Sequence, residues 1–78
     1  MRFYFDIKDD FFAAADDEGA DHPDARAAEK EAIATAASVA RDVFTSGGSH
    51  VIVTLRNDEQ SVLELAITLA RKPLNGHS

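Results

Sequence analysis

The sequence predicts an α+β fold in which two β-hairpins are joined by one helix (ββαββ), giving a four-stranded, mainly antiparallel sheet with the helix on one face. Three observations predict it. Apolar side chains alternate near the start of the chain, an alanine-rich helical run occupies its middle, and two further alternating runs follow. The 78 residues hold one domain at most, which we place at residues 1–72, with residues 73–78 as a flexible tail.

The first hairpin begins with "RFYFDI" (residues 2–7). Phe3, Phe5 and Ile7 lie on one face of this run, and their period of two is that of a half-buried strand. "KDD" follows as a turn. "FFAAA" (residues 11–15) is then predicted to be a second strand, which completes the hairpin.

The segment "DARAAEKEAIATAASVARDVF" (residues 24–44) predicts a helix, because it is rich in alanine and contains neither glycine nor proline. Apolar residues at spacings of three and four predict a buried stripe. The stripe consists of Ala28, Ala32, Ala36, Ala40 and Val43 or Phe44, widened by Ile33, Ala37 and Val39. "TSGGS" ends the helix, with Gly47 and Gly48 free to adopt left-handed backbone conformations.

The second hairpin consists of "HVIVTLR" (residues 50–56) and "SVLELAITLA" (residues 61–70), joined by the turn "NDEQ". Both runs alternate with a period of two. The predicted inward residues are Val51, Val53 and Leu55 in the first run and Leu63, Leu65, Ile67 and Leu69 in the second.

Charge and composition exclude several classes of protein. The net charge is −6, and residues 1–31 contain ten acidic residues against four basic ones, whereas residues 32–78 contain four of each. An acidic half disfavours nucleic acid, because phosphate binding depends on lysine and arginine. The chain has no cysteine, which excludes disulfides and thiolate zinc sites. It has no apolar run that predicts a signal peptide or a membrane span, so we expect a cytoplasmic protein that does not bind membranes.

The stretch "DDEGADHPDAR" (residues 16–26) contains five acidic residues and allows three interpretations. As a calcium loop of the EF-hand type it fails, because placing Gly19 at the glycine position puts Ala14 and Ala25 at two ligand positions. An acid–base pair would need apolar walls, and the neighbouring residues do not supply them. The candidates for a loose divalent-metal site are Asp16, Asp17, Glu18 and Asp21.

The third interpretation of this acidic stretch is structural, and we favour it. Gly19 permits the positive φ of a tight turn, and Pro23 keeps His22 extended. Asp24 is predicted to be the helix N-cap, with its carboxylate accepting from a backbone N–H of the first turn.

The remaining polar residues do not form a catalytic pattern. His22, His50 and His77 lie in three separate segments and are predicted to be solvated surface residues. Ser46, Ser49 and Ser61 border turns, and the G-x-S-x-G pattern of a nucleophile elbow does not occur. The glycines of "SGGS" follow a helix, whereas a phosphate site needs glycines that open one. We therefore expect neither enzymatic activity nor a cofactor.

The motifs "RFYFDIKDD", "DDEG" and "HPDARAAEKEA" followed by "VARD" resemble a family of short bacterial proteins catalogued as a domain of unknown function. Its members open with Arg-Tyr-Phe-Phe-Asp, carry an Asp-Glu-Gly turn, show Leu-Pro-Asp before a helix with Ala-Ala-Arg, and end in a hairpin. This chain differs by the order of Phe3 and Tyr4, by His22 where leucine is common, and by Asp10 in place of a glycine. The resemblance implies no activity, cofactor or catalytic residue.

A single helix covers one face of the predicted sheet, so apolar side chains on the other face predict an interaction surface. This predicted interaction face consists of Tyr4, Phe12, Ile52, Val62 and Ala66. Edge strands offer a second route to association. We predict a non-catalytic protein-interaction or regulatory module with a protein partner or a homodimer. The alternatives are single-stranded nucleic-acid binding through Tyr4, Arg2 and Arg56, or the divalent-metal site of the acidic stretch.

Overall fold

A computed structural model describes residues 1–75 of the chain. It contains one helix and an antiparallel sheet, in the predicted ββαββ order. The elements are β1 (Arg2–Asp9), β2 (Ala13–Ala14), β3 (Ala20–Asp21), α1 (Ala25–Thr45), β4 (His50–Arg56) and β5 (Ser61–Thr68). The strand order is β2–β1–β4–β5, and β3 pairs with β1 as well. The prediction of an α+β fold with two hairpins joined by one helix is therefore confirmed.

The first turn lies later in the chain than predicted. Lys8 and Asp9 continue β1 opposite Ile52 and Val51 of β4, so the prediction that both residues form a turn is wrong. The chain reverses after Asp9, whose backbone N–H donates to the Phe12 carbonyl at 2.8 Å. Pairing with β4 thus extends β1 as far as Asp9, which lies opposite Val51.

The predicted second strand, residues 11–15, is reduced to the two residues of β2, and the unpredicted β3 pairs with the other end of β1. Alanine is a weak strand former, so local sequence favours neither pairing strongly. Both short strands form because the chain returns along β1 before it enters the helix.

The helix begins as predicted. Asp24 has an extended backbone (φ −159°, ψ 176°), and its Oδ1 accepts a hydrogen bond from the Ala27 N–H at 2.8 Å. This bond satisfies one of the N–H groups that the first turn of a helix leaves unpaired. Asp24 is therefore the N-cap.

Replacing Asp24 by alanine is expected to lower the free energy of unfolding by about 1 kcal/mol, since the capping bond is lost. Urea unfolding followed by circular dichroism measures the change. Asp17→Ala is the matched control, because Asp17 is exposed and precedes the helix. Equal unfolding midpoints for the two variants would contradict a stabilising role for the cap.

At the other end of the helix, Gly47 and Gly48 require glycine for different physical reasons. Gly47 adopts the predicted left-handed conformation with φ +96°. The same prediction is wrong for Gly48, which is buried and has no positive φ. A Cβ at Gly48 would lie 2.5 Å from Val43 Cγ1 and 2.8 Å from Asp10 Oδ1, so this position requires glycine for space.

The core lies between α1 and β4. The predicted helix stripe is buried, and the inward residues of β4 are fully shielded from solvent. The buried residues are Ala28, Ala32, Ala36, Ala40 and Val43 in α1, Val51, Val53 and Leu55 in β4, and Phe3 in β1. The predicted widening of the stripe is wrong for Ile33, which is 50% exposed, and for Ala37, which is exposed.

The helix α1 shields β4 from solvent more completely than it shields β5. The inward residues of β4 are buried, whereas Leu63, Leu65, Ile67 and Leu69 are only half-buried. A single helix with an alanine stripe sits close to the strand beneath it and leaves the neighbouring edge partly open. The sheet therefore has a covered centre and a partly exposed apolar row along β5.

No helix among residues 1–75 is long and apolar enough to cross a membrane. Arg71–Asn75 follow β5 without a helix or strand. Residues 76–78 of the predicted tail, and with them His77, lie outside the described residues.

Candidate functional site

Asp16 hydrogen-bonds to the outer edge of β1 between the two short strands. Its Oδ2 accepts from the Phe5 N–H at 3.2 Å, and its Oδ1 accepts from the Glu18 and Gly19 N–H groups, each at 3.1 Å. The backbone N–H of Asp16 donates to Asp6 Oδ1 at 2.9 Å. The bonds from Gly19 and Phe5 lower the pKa of Asp16 below its ordinary value. The Asp16 carboxylate thus accepts a hydrogen bond from the Phe5 N–H, which lies in the part of β1 that neither β2 nor β3 pairs with.

Gly19 allows the chain to pass close to β1 beside Asp16. Its φ is +74°, which confirms the predicted tight turn. A Cβ at this position would lie 2.9 Å from the Phe3 carbonyl oxygen. Gly19 is therefore required both for its backbone conformation and for the close approach.

Arg56 connects the acidic stretch to the outer face of the sheet. Its Nε donates to Asp6 Oδ2 at 2.7 Å, and an Nη donates to the Asp16 carbonyl at 2.6 Å. The hydrogen bond from Arg56 lowers the pKa of Asp6, and the same bond raises the pKa of Arg56. The guanidinium carbon lies 4.4 Å from the centre of the Tyr4 ring. Sequence reasoning missed the cluster of Asp6, Asp16 and Arg56, because these three residues are 10 to 50 positions apart in the chain.

The groups proposed for nucleic-acid binding are engaged within the chain. Tyr4 donates its hydroxyl to Asp58 Oδ1 at 2.9 Å, which raises the pKa of Tyr4, and Arg56 covers one face of its ring. Arg2 donates to the Glu18 carbonyl and lies 3.6 Å from Asp21. The carboxylates beside these groups repel phosphate.

The structure does not bring the four candidate metal ligands together. Asp16 turns towards β1, whereas Asp17, Glu18 and Asp21 are exposed. Among residues 1–75, no three histidine, aspartate or glutamate side chains are grouped in a way that could hold a metal ion.

Ser49, His50 and Asp10 lie together but do not have the geometry of a catalytic triad. Ser49 Oγ is 2.8 Å from His50 Nδ1, and Asp10 Oδ2 is 3.7 Å from the same nitrogen. A triad uses the two ring nitrogens separately, one for the serine and one for the carboxylate. Asp10 Oδ1 instead accepts from the backbone N–H groups of His50 at 2.8 Å and Ser49 at 2.9 Å, and these bonds lower the pKa of Asp10. The cluster therefore joins the first turn to the start of β4.

His22 is not the solvated residue that we predicted. Its ring is half-buried against Phe5 and Phe3, with centroid distances of 6.0 and 6.3 Å. Its Nε2 is buried and has no hydrogen-bond partner among residues 1–75.

Three residues of the predicted interaction face lie on the outer side of the sheet, and two do not. Tyr4 lies there beside Arg56, and Ile52 is paired with Ala66. Val62 instead packs against the buried cluster of Phe3, Ala28 and Leu55, because a register shift between Leu55 and Arg56 turns it inward. Phe12, 76% exposed, lies in the first turn beside Val39 and Val43 of the helix.

The two edges of the sheet differ. The β1 edge is occupied by β2, Asp16 and β3, whereas no strand among residues 1–75 pairs with the outer edge of β5. Leu69 N–H donates to the Ser49 carbonyl at 2.9 Å, in register with the β4–β5 ladder. Because hydrogen-bonded residues alternate along an antiparallel ladder, the backbone groups of Glu64, Ala66 and Thr68 point away from β4. The β5 edge is thus open over most of its length.

The chain matches one family model over residues 2–70, under the description Domain of unknown function (DUF6894). The chain belongs to this family. The match includes every strand and the helix of the domain, and it confirms the resemblance to a domain of unknown function. No curated protein and no solved structure matches the chain.

The stability of this domain is expected to decrease as the pH falls below about 4. The folded-state pKa values of Asp6, Asp10 and Asp16 lie below the ordinary value of 3.8. A lowered pKa gives stabilisation that is present above the pKa of the unfolded chain and is lost as the pH falls through the folded value. Urea midpoints between pH 2 and pH 7 test this. The decrease should be shallower in Asp16→Asn, and an identical pH profile would contradict the assignment for Asp16.

Proposed function

We propose that this protein is a small, non-catalytic protein-interaction or regulatory module of the cytoplasm, and that it binds a partner chain at the outer edge of β5. The observation that carries this proposal is the difference between the two sheet edges. The β1 edge is closed by two short strands and by the carboxylate of Asp16, whereas the β5 edge presents backbone groups that no strand among residues 1–75 pairs with.

An open edge of this length favours strand addition by a partner. β5 has eight residues, "SVLELAIT", and contains neither proline nor lysine, which natural proteins use to block edges. Its single charged residue, Glu64, lies on the outer face beside Thr54. Backbone hydrogen bonds to an added strand supply affinity, and side-chain contacts along the strand supply specificity.

The partly covered apolar row beside this edge supports the same proposal. Leu63, Leu65 and Ile67 face the helix side and stay half-buried. An added strand would place its own apolar side chains beside this row and remove it from water, which is favourable at roughly 25 cal/mol per Å². The outer face exposes less apolar surface to a partner, because Arg56 covers the Tyr4 ring and the polar side chains of Lys8 and Thr54 lie beside Ile52.

The test is an edge-blocking variant. Ala66→Pro removes an outward N–H that the β4–β5 ladder does not use, so the domain should stay folded by circular dichroism. Tagged wild type and variant are compared for the proteins that each captures from an extract of the native cell, including untagged copies of the chain. Ile52→Ser, on the outer face, is the control.

We expect Ala66→Pro to lose the captured chains and Ile52→Ser to retain them. A folded Ala66→Pro variant that captures the same chains as wild type overturns the proposal. If only Ile52→Ser loses them, the binding surface is the outer face and the edge is excluded.

A further inference from the structure

We propose that the chain added at the β5 edge is a second copy of this protein, paired antiparallel about a two-fold axis, with Leu65 opposite Leu65 of the second copy. This inference rests on the proposed function, because it needs the same open edge. Three properties of β5 and its surroundings identify the occupant: the positions of its outward backbone groups, the charge pattern along it, and the apolar row on its inner side.

The outward backbone groups restrict the register. Glu64, Ala66 and Thr68 point their N–H and C=O groups away from β4, so they must form the hydrogen-bonded pairs of a two-fold ladder. Over the eight residues of β5, the two registers of this kind with the longest overlap each span seven residues, of which Val62 lies at the register shift and outside the regular ladder. One is centred on Glu64, and the other is centred on Leu65.

Charge decides between these two registers. The first sets Glu64 directly opposite Glu64 of the second copy, and like charges at directly opposed positions are destabilising. The second sets Glu64 opposite Ala66 of the second copy, so that the two Glu64 side chains are diagonal neighbours about 7–8 Å apart and no like charges are directly opposed. β5 is therefore self-complementary in the register centred on Leu65.

In this arrangement the second copy shields the half-buried side chains of Leu63, Leu65 and Ile67 from solvent. A two-fold axis perpendicular to the sheet keeps both helices on the same side. It places Leu65 against its own copy, and Leu63 against Ile67 of the second copy. These are the side chains that α1 leaves half-buried. Neighbouring residues at such non-hydrogen-bonded positions approach closely, with Cα atoms about 4.5 Å apart.

The flank of the helix beside β5 adds to the same surface. Ile33 and Ala37 lie on the side of α1 that also carries Phe44, as the helical period of 3.6 residues requires. Arg71, which follows β5, reaches the end of the helix and donates to the Phe44 carbonyl at 2.8 Å. Val39 and Asp42, on the opposite flank of α1, line the hollow beside Phe12 of the first turn, so the flank with Ile33 faces the β5 side. Ile33 is 50% exposed there. A second copy at the β5 edge brings the two flanks towards each other across the axis.

The experiment uses single cysteines in the full chain, which has none of its own. Leu65→Cys, Glu64→Cys and Ala66→Cys are oxidised separately, and the fraction of covalent dimer is measured with and without reductant. In the proposed register the two cysteines that replace Leu65 are directly opposed, within the range of about 4.4–6.8 Å between Cα atoms that disulfides span. The cysteines at the other two positions are offset diagonally by about 7–8 Å.

We expect Leu65→Cys to form the most covalent dimer, and light scattering of uncrosslinked wild type to give twice the chain mass. Preferred cross-linking of Glu64→Cys or Ala66→Cys overturns the register. If the wild type stays monomeric at every concentration, the second copy is excluded. If the wild type is monomeric but Ala66→Pro fails to capture a different protein that the wild type captures, the proposed function at the β5 edge still stands. If Ala66→Pro captures the same proteins as the wild type, both the proposed function and the second copy are overturned.

Discussion

Replacing Phe3 by alanine is expected to lower the free energy of unfolding by about 3–5 kcal/mol. Phe3 is 1% exposed and packs with Ala28 and Leu55, and its ring lies 6.3 Å from that of His22. It thus joins β1, the helix and β4 at one end of the core. One core in a domain of this size supplies about 3–5 kcal/mol in total. The variant should therefore be largely unfolded at room temperature, as circular dichroism and urea titration would show.

The same substitution at Phe12 is the matched control. Phe12 is 76% exposed, so Phe12→Ala should change stability by no more than about 0.5 kcal/mol. Phe3→Leu keeps most of the apolar volume and should give an intermediate loss. If Phe3→Ala and Phe12→Ala unfolded at the same urea concentration, the core would not depend on Phe3 and the packing of Phe3 against Ala28 and Leu55 would be wrong.

Replacing Asp16 by alanine is expected to lower the free energy of unfolding by about 2–3 kcal/mol. Three backbone N–H groups lose their acceptor, and the N–H of Phe5 lies in a partly buried place where water reaches it poorly. The exposed Glu18 N–H can turn to solvent, which limits the loss, whereas the Gly19 N–H is partly buried like that of Phe5. The variant also opens the middle of the β1 edge, so it should associate more readily than the wild type.

Hydrogen exchange at the Phe5 amide measures the local effect, and urea unfolding measures the global one. Asp16→Asn keeps one acceptor oxygen and should lie between the wild type and Asp16→Ala. Asp17→Ala removes a neighbouring exposed carboxylate and should change neither quantity. Unchanged protection of the Phe5 amide in Asp16→Ala would show that Asp16 does not close the edge.

The acidic stretch has two structural roles: it closes one edge of the sheet and it starts the helix. Asp16 closes the β1 edge, Gly19 lets the chain pass close to it, and Asp24 starts the helix. A sheet edge left open tends to pair with other chains. Closing one edge while leaving the other open restricts strand pairing to a single side of the domain, and this restriction is what the proposed interaction at β5 requires.

Features that depend on residues close together in the chain could be predicted from the sequence. The buried stripe of α1, the bounds of β4 and the cap at Asp24 follow from spacings of two to four residues, and all three are found in the structure. Local periodicity is sufficient to predict these elements, because each one buries side chains that recur at a fixed spacing along a single face.

Features that depend on distant residues could be read only from the folded chain. Three features depend on how the folded chain runs back past residues that are distant in sequence. They are the pairing of Asp6, Asp16 and Arg56, the inward turn of Val62 and the buried position of His22. The difference between the two sheet edges has the same origin. It arises where residues 11–21 run back along β1, and the weak strand propensity of those residues does not specify that path.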